Sequence, residues 1–581
     1  MSWIVVEARP DGGASLHELA DDADVPGMPI LPLEVVSRVE VPEADLPAEL
    51  AAREASHPRW VLDDTAARYP ALLAAGVGLE RCHDLRLCHA ILRMSAACAG
   101  SVLATSPPGP WDAPPDHDAW HEPDEVAAIP TLFDAVDEAG DGVGVSPVGG
   151  PAGVDEPPDL LAELALQLDA VAGSAGPGGL RLLLAAESTG ALIAAEIAHD
   201  GLPWDVAEHD RVLTALLGPR PAPGRRPAVL EELATRVRTT LDAPDLNPDS
   251  QPHLLQALRR AGLDVASTSR YEISAQRHPV VEPLLAYKKL ARLLSANGWT
   301  WLDTWVHDGR YRPDYVVGGV VTGRWASRGS GALQLPAQVR SAVRADPGWA
   351  LVVADAAQLE PRVLAAMSGD GAMAAAARGA DLYQGLVDAG AVATRKEAKI
   401  GMLGAIYGGT TGVSGAVMPR LSAAFPRAIG LVESAARAGE RGEVVSTWLG
   451  RSSPPPGERW WAARAAGTGE GADPADAADA RRRARDWGRF TRNFVVQGTA
   501  AEWALCWLAA LRRRLRDLPG RPHLVYFLHD EVVVHSPVEV APVVADAVRA
   551  AAGEAGRLLF GDGPVEFPLD VSVVDSYDKA G

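Results

Sequence analysis

Trp349-Ala350-Leu351-Val352-Val353-Ala354-Asp355 and Leu524-Val525-Tyr526-Phe527-Leu528-His529-Asp530-Glu531 decide the reading of this chain. Each is a short apolar run ending on a carboxylate, the pattern of a buried β-strand. A carboxylate at the mouth of such a strand costs on the order of several kcal/mol to desolvate unless a cation or donor meets it. Two such strands side by side offer hard oxygen ligands to a shared pair of Mg²⁺ ions, an arrangement suited to in-line phosphoryl displacement. Between them in sequence runs Thr394-Arg-Lys-Glu-Ala-Lys-Ile-Gly-Met-Leu-Gly-Ala-Ile-Tyr-Gly408, which places cations where a triphosphate could lie. Carboxylate pair and cationic helix together suggest nucleotidyl transfer.

With 581 residues the chain is too long for one core, and 47% hydrophobic content is that of a globular enzyme. Met1-Ser-Trp-Ile-Val-Val-Glu-Ala-Arg lacks the basic start and long apolar stretch of a leader, and no run of 18 uncharged apolar residues follows, so neither signal peptide nor membrane span is expected. Four cysteines, three of them clustered, point to a reducing cytoplasm rather than a disulfide framework. The net charge of −22 divides unevenly: residues 1–180 carry −23 and the remainder +1. Phosphate backbones would be repelled by the first part and tolerated by the rest.

Residues 1–100 read as a small α/β unit with short strands near Trp3–Val6, Ile30–Val36 and Trp60–Leu62 and a helical stretch over Leu72–Met94. A Pro-, Gly- and Asp-rich linker over Ser106–Pro158 carries one short helix, Thr131–Glu138. Helical periodicity covers Asp159–Val171, Leu180–His199, Ala228–Leu241, Gln251–Ala261 (capped by Asn247-Pro-Asp-Ser250) and Pro279–Ser295. A strand-rich zone is expected over Trp299–Asp355, helices from Pro361 to about Glu440, and a mobile surface excursion over 451–487, whose charge run reads as a solvated face. Helices at Arg481–Thr491 and Gln497–Asp517 and strands at 523–535 and 565–574 close the chain.

The central helix is the most legible piece. Thr394 and Glu397 form a capping box, so it begins at Arg395. Arg395, Lys399, Leu403 and Tyr407 then fall four apart along one stripe, and a phosphate chain could lie on the first two with sugar and base further down. An amphipathic helix with exposed bases is the plainer alternative. Gly401, Gly404 and Gly408 weigh against it, since each glycine in a helix interior costs about 1 kcal/mol and marks close approach or movement.

Five ordered blocks resemble the polymerase portion of the DNA polymerase I family (family A). Thr322-Gly-Arg-Trp-Ala-Ser327, followed by Leu333-Gln334 and Pro336, looks like the block that contacts primer and template. Asp355-Ala-Ala-Gln-Leu-Glu-Pro-Arg362 resembles motif A. Arg395-x3-Lys399-x7-Tyr407-Gly408 resembles motif B, and Arg489-x3-Asn493-x3-Gln497 the helix before motif C, which Leu528-His-Asp-Glu531 resembles in turn. The agreement runs from near Leu180 to the C-terminus, about 400 residues.

The resemblance implies an α/β multidomain chain. Its right-hand polymerase would have an antiparallel palm sheet, helical fingers and a thumb, preceded by an exonuclease-like α/β domain. Expected boundaries are 1–158 for that domain and its linker, 159–300 for helical connection and thumb, 301–368 and 489–581 for palm, and 369–488 for fingers. Asp355 and Asp530 match the ligands of two Mg²⁺ ions (Mn²⁺ as a substitute), with Glu531 beside them. Gln358 and Glu360 match residues around the incoming sugar, Glu360 as the gate against a 2′-hydroxyl. Arg395 and Lys399 match triphosphate ligands, Lys399 also the acid for the leaving pyrophosphate, and Tyr407 the templating-base position. Arg324, Gln334, Arg489, Asn493, Gln497 and His529 match contacts to primer-template DNA. The implied protein is a monomeric, cytoplasmic, nucleoid-associated DNA polymerase using dNTPs in repair or gap filling, without membrane contact.

Three positions depart from the family pattern. Leu403 stands where an aromatic residue supports the nucleotide, Tyr383 where a histidine contacts phosphate, and Ala332 where an asparagine is usual. Weaker nucleotide binding is expected. In the N-terminal part, Val5-Val6-Glu7-Ala8-Arg9-Pro10-Asp11 lacks the Asp-x-Glu of a 3′–5′ exonuclease, leaving Asp84 and Asp134 as stray acids. An inactive domain is expected, in a short, actinobacterial-type form without a 5′-nuclease domain. Cys82-His83, Cys88-His89 and Cys98 match no common zinc spacing and read as buried cysteines on a helix through Arg81–Met94. Two further readings are a catalytically degenerate DNA-binding relative and a polymerase that also degrades 3′ ends.

Overall fold

Alternating apolar residues and turn glycines build a first sheet in this computed structural model, which describes residues 2–10, 12–20, 33–112, 159–329, 331–379, 381–409, 412–469 and 472–580. Its five strands run in the order Val35–Val41, Ala14–Leu19, Trp3–Ala8, Arg59–Leu62, Arg81–Asp84. The first three pair antiparallel and the last two join in parallel. The helix expected over Leu72–Met94 is instead a helix at Thr65–Ala74, a turn, the strand Arg81–Asp84 and a helix at Leu85–Met94. Gly76 (φ +78°) ends the first helix, since that backbone region suits glycine. Cys82, His83 and Asp84 are then buried in the sheet rather than spread around a helix. Thr131–Glu138, Asp134 and most of the expected linker lie outside the described residues.

A second, four-stranded antiparallel sheet carries both opening sequences. Its order is His523–Leu528, Glu531–Pro537, Trp349–Ala356, Leu569–Val574. Leu351 to Ala354 are buried because helix Ala541–Phe560 covers one face, while Tyr315 and Tyr526 tie the sheet to the segment before it, through bonds to Phe527 O and Ala332 O. The strands bearing Asp355 and Asp530 were expected to be neighbours. They are not: Glu531–Pro537 lies between them.

The strand-rich zone expected over Trp299–Asp355 is mostly irregular. A helix spans Trp299–Trp305, followed by four two-residue strands and a 3₁₀ turn at Ala337–Ala342 before Trp349–Ala356 begins. Its aromatic residues pack as a cluster instead of a ladder: the Trp301 ring lies 5.2 Å from Trp204 and 5.0 Å from Tyr311. Strand propensity in aromatics reflects burial, which a cluster satisfies equally. The two helices expected near the C-terminus are one, Pro474–Arg516, which begins inside the stretch expected to be a mobile excursion. There Glu458–Thr468 packs against it through Trp460, and Gly467 abuts Ala480. Pro474–Arg516 contains an apolar window long enough to cross a membrane, but 94% of that window is buried in the fold.

Ser250 sits at the N-cap of Gln251–Arg260 without a side-chain bond; the expected Asn247 instead accepts from Asp249 N (3.2 Å). The cysteines are all free and buried. Among the described residues the one cluster with metal-ligand geometry is Glu54, His57 and Glu80, away from Cys82, Cys88 and Cys98.

Candidate active site

Register sets the site. Asp355 pairs with Glu531 on one side and with Asp570 on the other, so three adjacent strands present carboxylates at one level. Directly opposed like charges in a sheet are destabilising. Asp530 lies not on a strand but in the two-residue turn between paired Leu528 and Glu531, which His529 closes in the left-handed region (φ +57°). The turn folds onto the central strand: Ala356 N donates to Asp530 O at 2.8 Å, and Asp530 N to Leu528 O at 2.6 Å. That contact brings Asp530 to Asp355 across an intervening strand.

Burial first, then Glu531 and Asp570, push Asp355 up to about 6; Arg340 opposes them. Burial and Asp355 push Asp530 up to about 7, with Arg324 opposing. Carboxylates held this far above their ordinary range are short of positive charge, and their oxygens are hard donors of the kind a divalent cation takes. Asp570 was missed in the sequence. Its signal was a carboxylate in the alternation Leu569-Asp570-Val571, legible only once the pairing partner was known.

Helix Arg395–Tyr407 begins as the capping box predicts. Thr394 Oγ1 accepts from Glu397 N (3.2 Å), and Glu397 Oε2 accepts from Ala393 N (2.9 Å). Its stripe runs from open to closed: Arg395 and Lys399 are exposed, Leu403 and Tyr407 buried. The glycines mark close approach, as expected. A Cβ on Gly404 would meet Ser414 Oγ at 1.6 Å, and one on Gly401 would meet Val417 Cγ2 at 2.6 Å, so helix Gly412–Ala424 can pack here only against glycine. Gly408 (φ +77°) ends the helix with the Arg489 side chain against it.

Glu360 gathers the deep end. Its carboxylate accepts from Tyr407 Oη (2.9 and 2.8 Å) and from Arg324 Nη2 (2.5 Å). Gln497 reaches the same hydroxyl, and Arg324 also faces Asp530. Burial, then Arg324, lower His529 to about 3, so its ring is neutral. His529 Nδ1, Asn493 Oδ1 and Thr322 Oγ1 are buried here without a hydrogen-bond partner in the protein.

The open end holds a second network. Gln358 sits in the left-handed region (φ +56°); its Nε2 donates to Asp381 Oδ1 (3.1 Å), and its Oε1 accepts from Leu382 N (2.7 Å). Asp381 also caps helix Leu382–Asp388 and accepts from Arg395 Nε at 2.6 Å. The Arg395 guanidinium lies 5.7 Å from the Tyr383 ring centre. Asp381 was not singled out in the sequence, although an Asp before an apolar helix signals a cap. Gln334 is turned elsewhere, accepting from Arg292 Nη2 (3.2 Å).

A model of DNA polymerase family A matches residues 253–578, more than half of the chain. The match to the family model begins at residue 253, and the likeness in fold reported below reaches beyond it. DNA polymerase I of Chloroflexus aurantiacus is 28% identical over 335 residues, covering 52% of this chain and 33% of that protein. The thermostable DNA polymerase I of Thermus aquaticus is 26% identical over 345 residues, 54% of this chain and 38% of that protein. The matches thus span little more than a third of these relatives' length. In fold, the chain is similar to the POL domain of Pol1 from M. smegmatis, solved in complex with DNA primer-template and dNTP. That likeness has a TM-score of 0.63 at 17% identity and covers 99% of this chain and 95% of that one.

Both raised carboxylates make the folded, metal-free chain bind more protons than the unfolded one between about pH 4 and 7. Stability from these groups is therefore lost as pH rises through that window. Asp530→Asn should raise the metal-free melting temperature at pH 8 by about a few degrees and flatten its fall between pH 5 and 8. Thermal scans in chelator that show neither change would count against the repulsion.

Proposed function

The chain belongs to DNA polymerase family A, and on that premise we propose that it is a template-dependent DNA polymerase adding dNTPs to a primer 3′-hydroxyl. The observation carrying this is the register Asp355↔Glu531 with the Asp530 turn folded onto it, beside a helix whose cations lead into a closed end. Asp355 and Asp530, with Glu531, would hold two divalent ions; when bound these would supply charge neutralisation at the transferring phosphoryl group and the leaving pyrophosphate. Mg²⁺ suits the hard donor set.

The protein's own groups do the rest. Exposed Arg395 and Lys399 take the triphosphate, and Lys399 gives its proton to the departing pyrophosphate. Glu360, held by Tyr407 and Arg324, presents a fixed wall to the sugar and so selects against a 2′-hydroxyl. Arg489, Asn493, Gln497 and His529 lie on the duplex side. Asp381 holds Arg395 before nucleotide arrives, so triphosphate must compete with a carboxylate for it.

We read the N-terminal sheet as a degenerate exonuclease-like domain acting as a brace. Asp84, one of its stray acids, accepts from Thr65 N (2.7 Å) and Leu87 N (2.8 Å) and is spent on capping. Gap filling or repair suits a polymerase without proofreading. The boundaries near 158, 300, 368 and 488 remain part of this reading, with 451–487 belonging to the fingers as a helical hairpin.

Extension of a labelled primer with Mg²⁺ and dNTPs tests the reading. Asp355→Ala and Asp530→Ala should each lower extension by about three orders of magnitude while DNA binding persists. Wild-type chain that binds DNA without extending it would leave the degenerate relative; shortening without dNTPs that survives both substitutions would reveal an exonuclease. Asp381→Asn keeps the cap and frees Arg395, so the apparent KM for dNTP should fall about threefold to tenfold; a rise would mean that Asp381 orients Arg395 instead. Leu403→Phe should also lower that KM, stacking being worth about 1–3 kcal/mol per base. An unchanged or higher value would refute the role assigned to Leu403.

A further inference from the structure

Leu569–Val574 is an edge strand of the second sheet, and it brings Asp570 beside Asp355 on the flank opposite Glu531 and the Asp530 turn. Residues paired directly across two antiparallel strands point to the same face, their Cβ atoms about 5 Å apart. The chain leading into Asp570 is pinned by the segment that follows Asp355. Ala357 N donates to Pro568 O (3.3 Å), and the fully buried Arg362 donates through Nε to Ala357 O (2.9 Å) and through Nη1 to Glu566 O (3.1 Å). Asp570 itself is exposed, and among the described residues no arginine or lysine pairs with it.

A charge on an edge strand deters pairing with another chain, and either sign serves that purpose. A lysine at this position would in addition pair with Asp355 and Glu531. An aspartate does the reverse: after burial and Glu531, Asp570 is the charge that pushes Asp355 up. For the protein alone the residue is unfavourable, since like charges directly opposed in a sheet destabilise it. Its gain lies in what binds. Asp355, Asp530 and Glu531 carry three negative charges, whereas a pair of divalent ions carries four positive ones; Asp570 supplies the fourth.

We propose that Asp570 is a further residue of the metal site, its charge strengthening the hold of Asp355 on a hard divalent cation from the flank away from Asp530. This rests on the reading of Asp355 and Asp530 as metal ligands. Being exposed, Asp570 acts through the water that Mg²⁺ keeps around itself. A unit charge facing a doubly charged ion at about 6 Å in water-like surroundings is worth about tenfold in affinity, and less in salt.

The test is Mn²⁺ binding to the full chain without DNA or nucleotide, the free ion being read by electron paramagnetic resonance. D355N should abolish binding at the sites of the second sheet. D570N should weaken those same sites about threefold to tenfold, and D570E should bind within about twofold of wild type. D575N removes a carboxylate just beyond the same strand, one already paired with Lys579, and should bind as wild type does. In chelator D570N should melt no lower than wild type, which separates a lost charge from a lost fold. D570N that keeps wild-type affinity, weakens no more than D575N or melts lower in chelator overturns the role of Asp570. D355N that retains every wild-type site would instead sink the metal reading of Asp355 itself.

Discussion

Like-charge repulsion at the Asp355 level of the second sheet is the constraint on which the rest depends. An antiparallel sheet whose pairing sets Asp355 opposite both Glu531 and Asp570 gains nothing locally from doing so. The register is nevertheless held, because Ala350–Ala354 are buried on both faces and a one-residue slip would exchange every side chain between two differently packed faces. Core packing thereby forces the carboxylates together. Asp530 is added by a backbone bond, Ala356 N to Asp530 O, that no side-chain change can easily remove.

Opposing charge is arranged around that point without neutralising it. Arg324 divides itself between Glu360 and Asp530, and Arg395 is engaged by Asp381. Each cation has a partner that a polyanion could displace, so the site is ordered before ligand arrives and still open to it. Glycine contacts order the neighbouring helix in the same way. Gly401 and Gly404 let helix Gly412–Ala424 lie so close that the stripe of Arg395, Lys399, Leu403 and Tyr407 is fixed from behind.

Local chemistry made some of this legible in advance. The capping box at Thr394 and the glycines of its helix depend on residues within a few positions, and both stand as read. Asp355 and Asp530 were visible because a charged end on an apolar run conflicts with its surroundings. Asp570 was not, since its meaning arises from a strand paired across more than 200 residues. The Trp299–Asp355 region was misread for a related reason: aromatic and β-branched residues announce burial, and only the tertiary packing decides between ladder and cluster. Likewise the Ala- and Asp-rich stretch before Arg481 looks solvated in isolation and becomes helical through its contact with Glu458–Thr468.

The N-terminal sheet is held to the rest of the chain around a part-buried ion pair. Arg512, on the helix that carries Arg489 and Gln497, donates through Nε and Nη2 to Glu196 (2.7 and 2.6 Å), and through Nη1 to Glu80 O (2.8 Å) of the first unit. Tyr69, also in the first unit, donates to the same Glu196 at 2.8 Å. Removing one partner from such a pair strands the other charge in the interior, typically at a cost of about 3–5 kcal/mol. Detachment of the domain would leave that pair joined but strip Arg512 of Glu80 O and Glu196 of the Tyr69 hydroxyl. Its position therefore constrains helix Pro474–Arg516, and through that helix the buried Asn493 and Gln497 beside Tyr407.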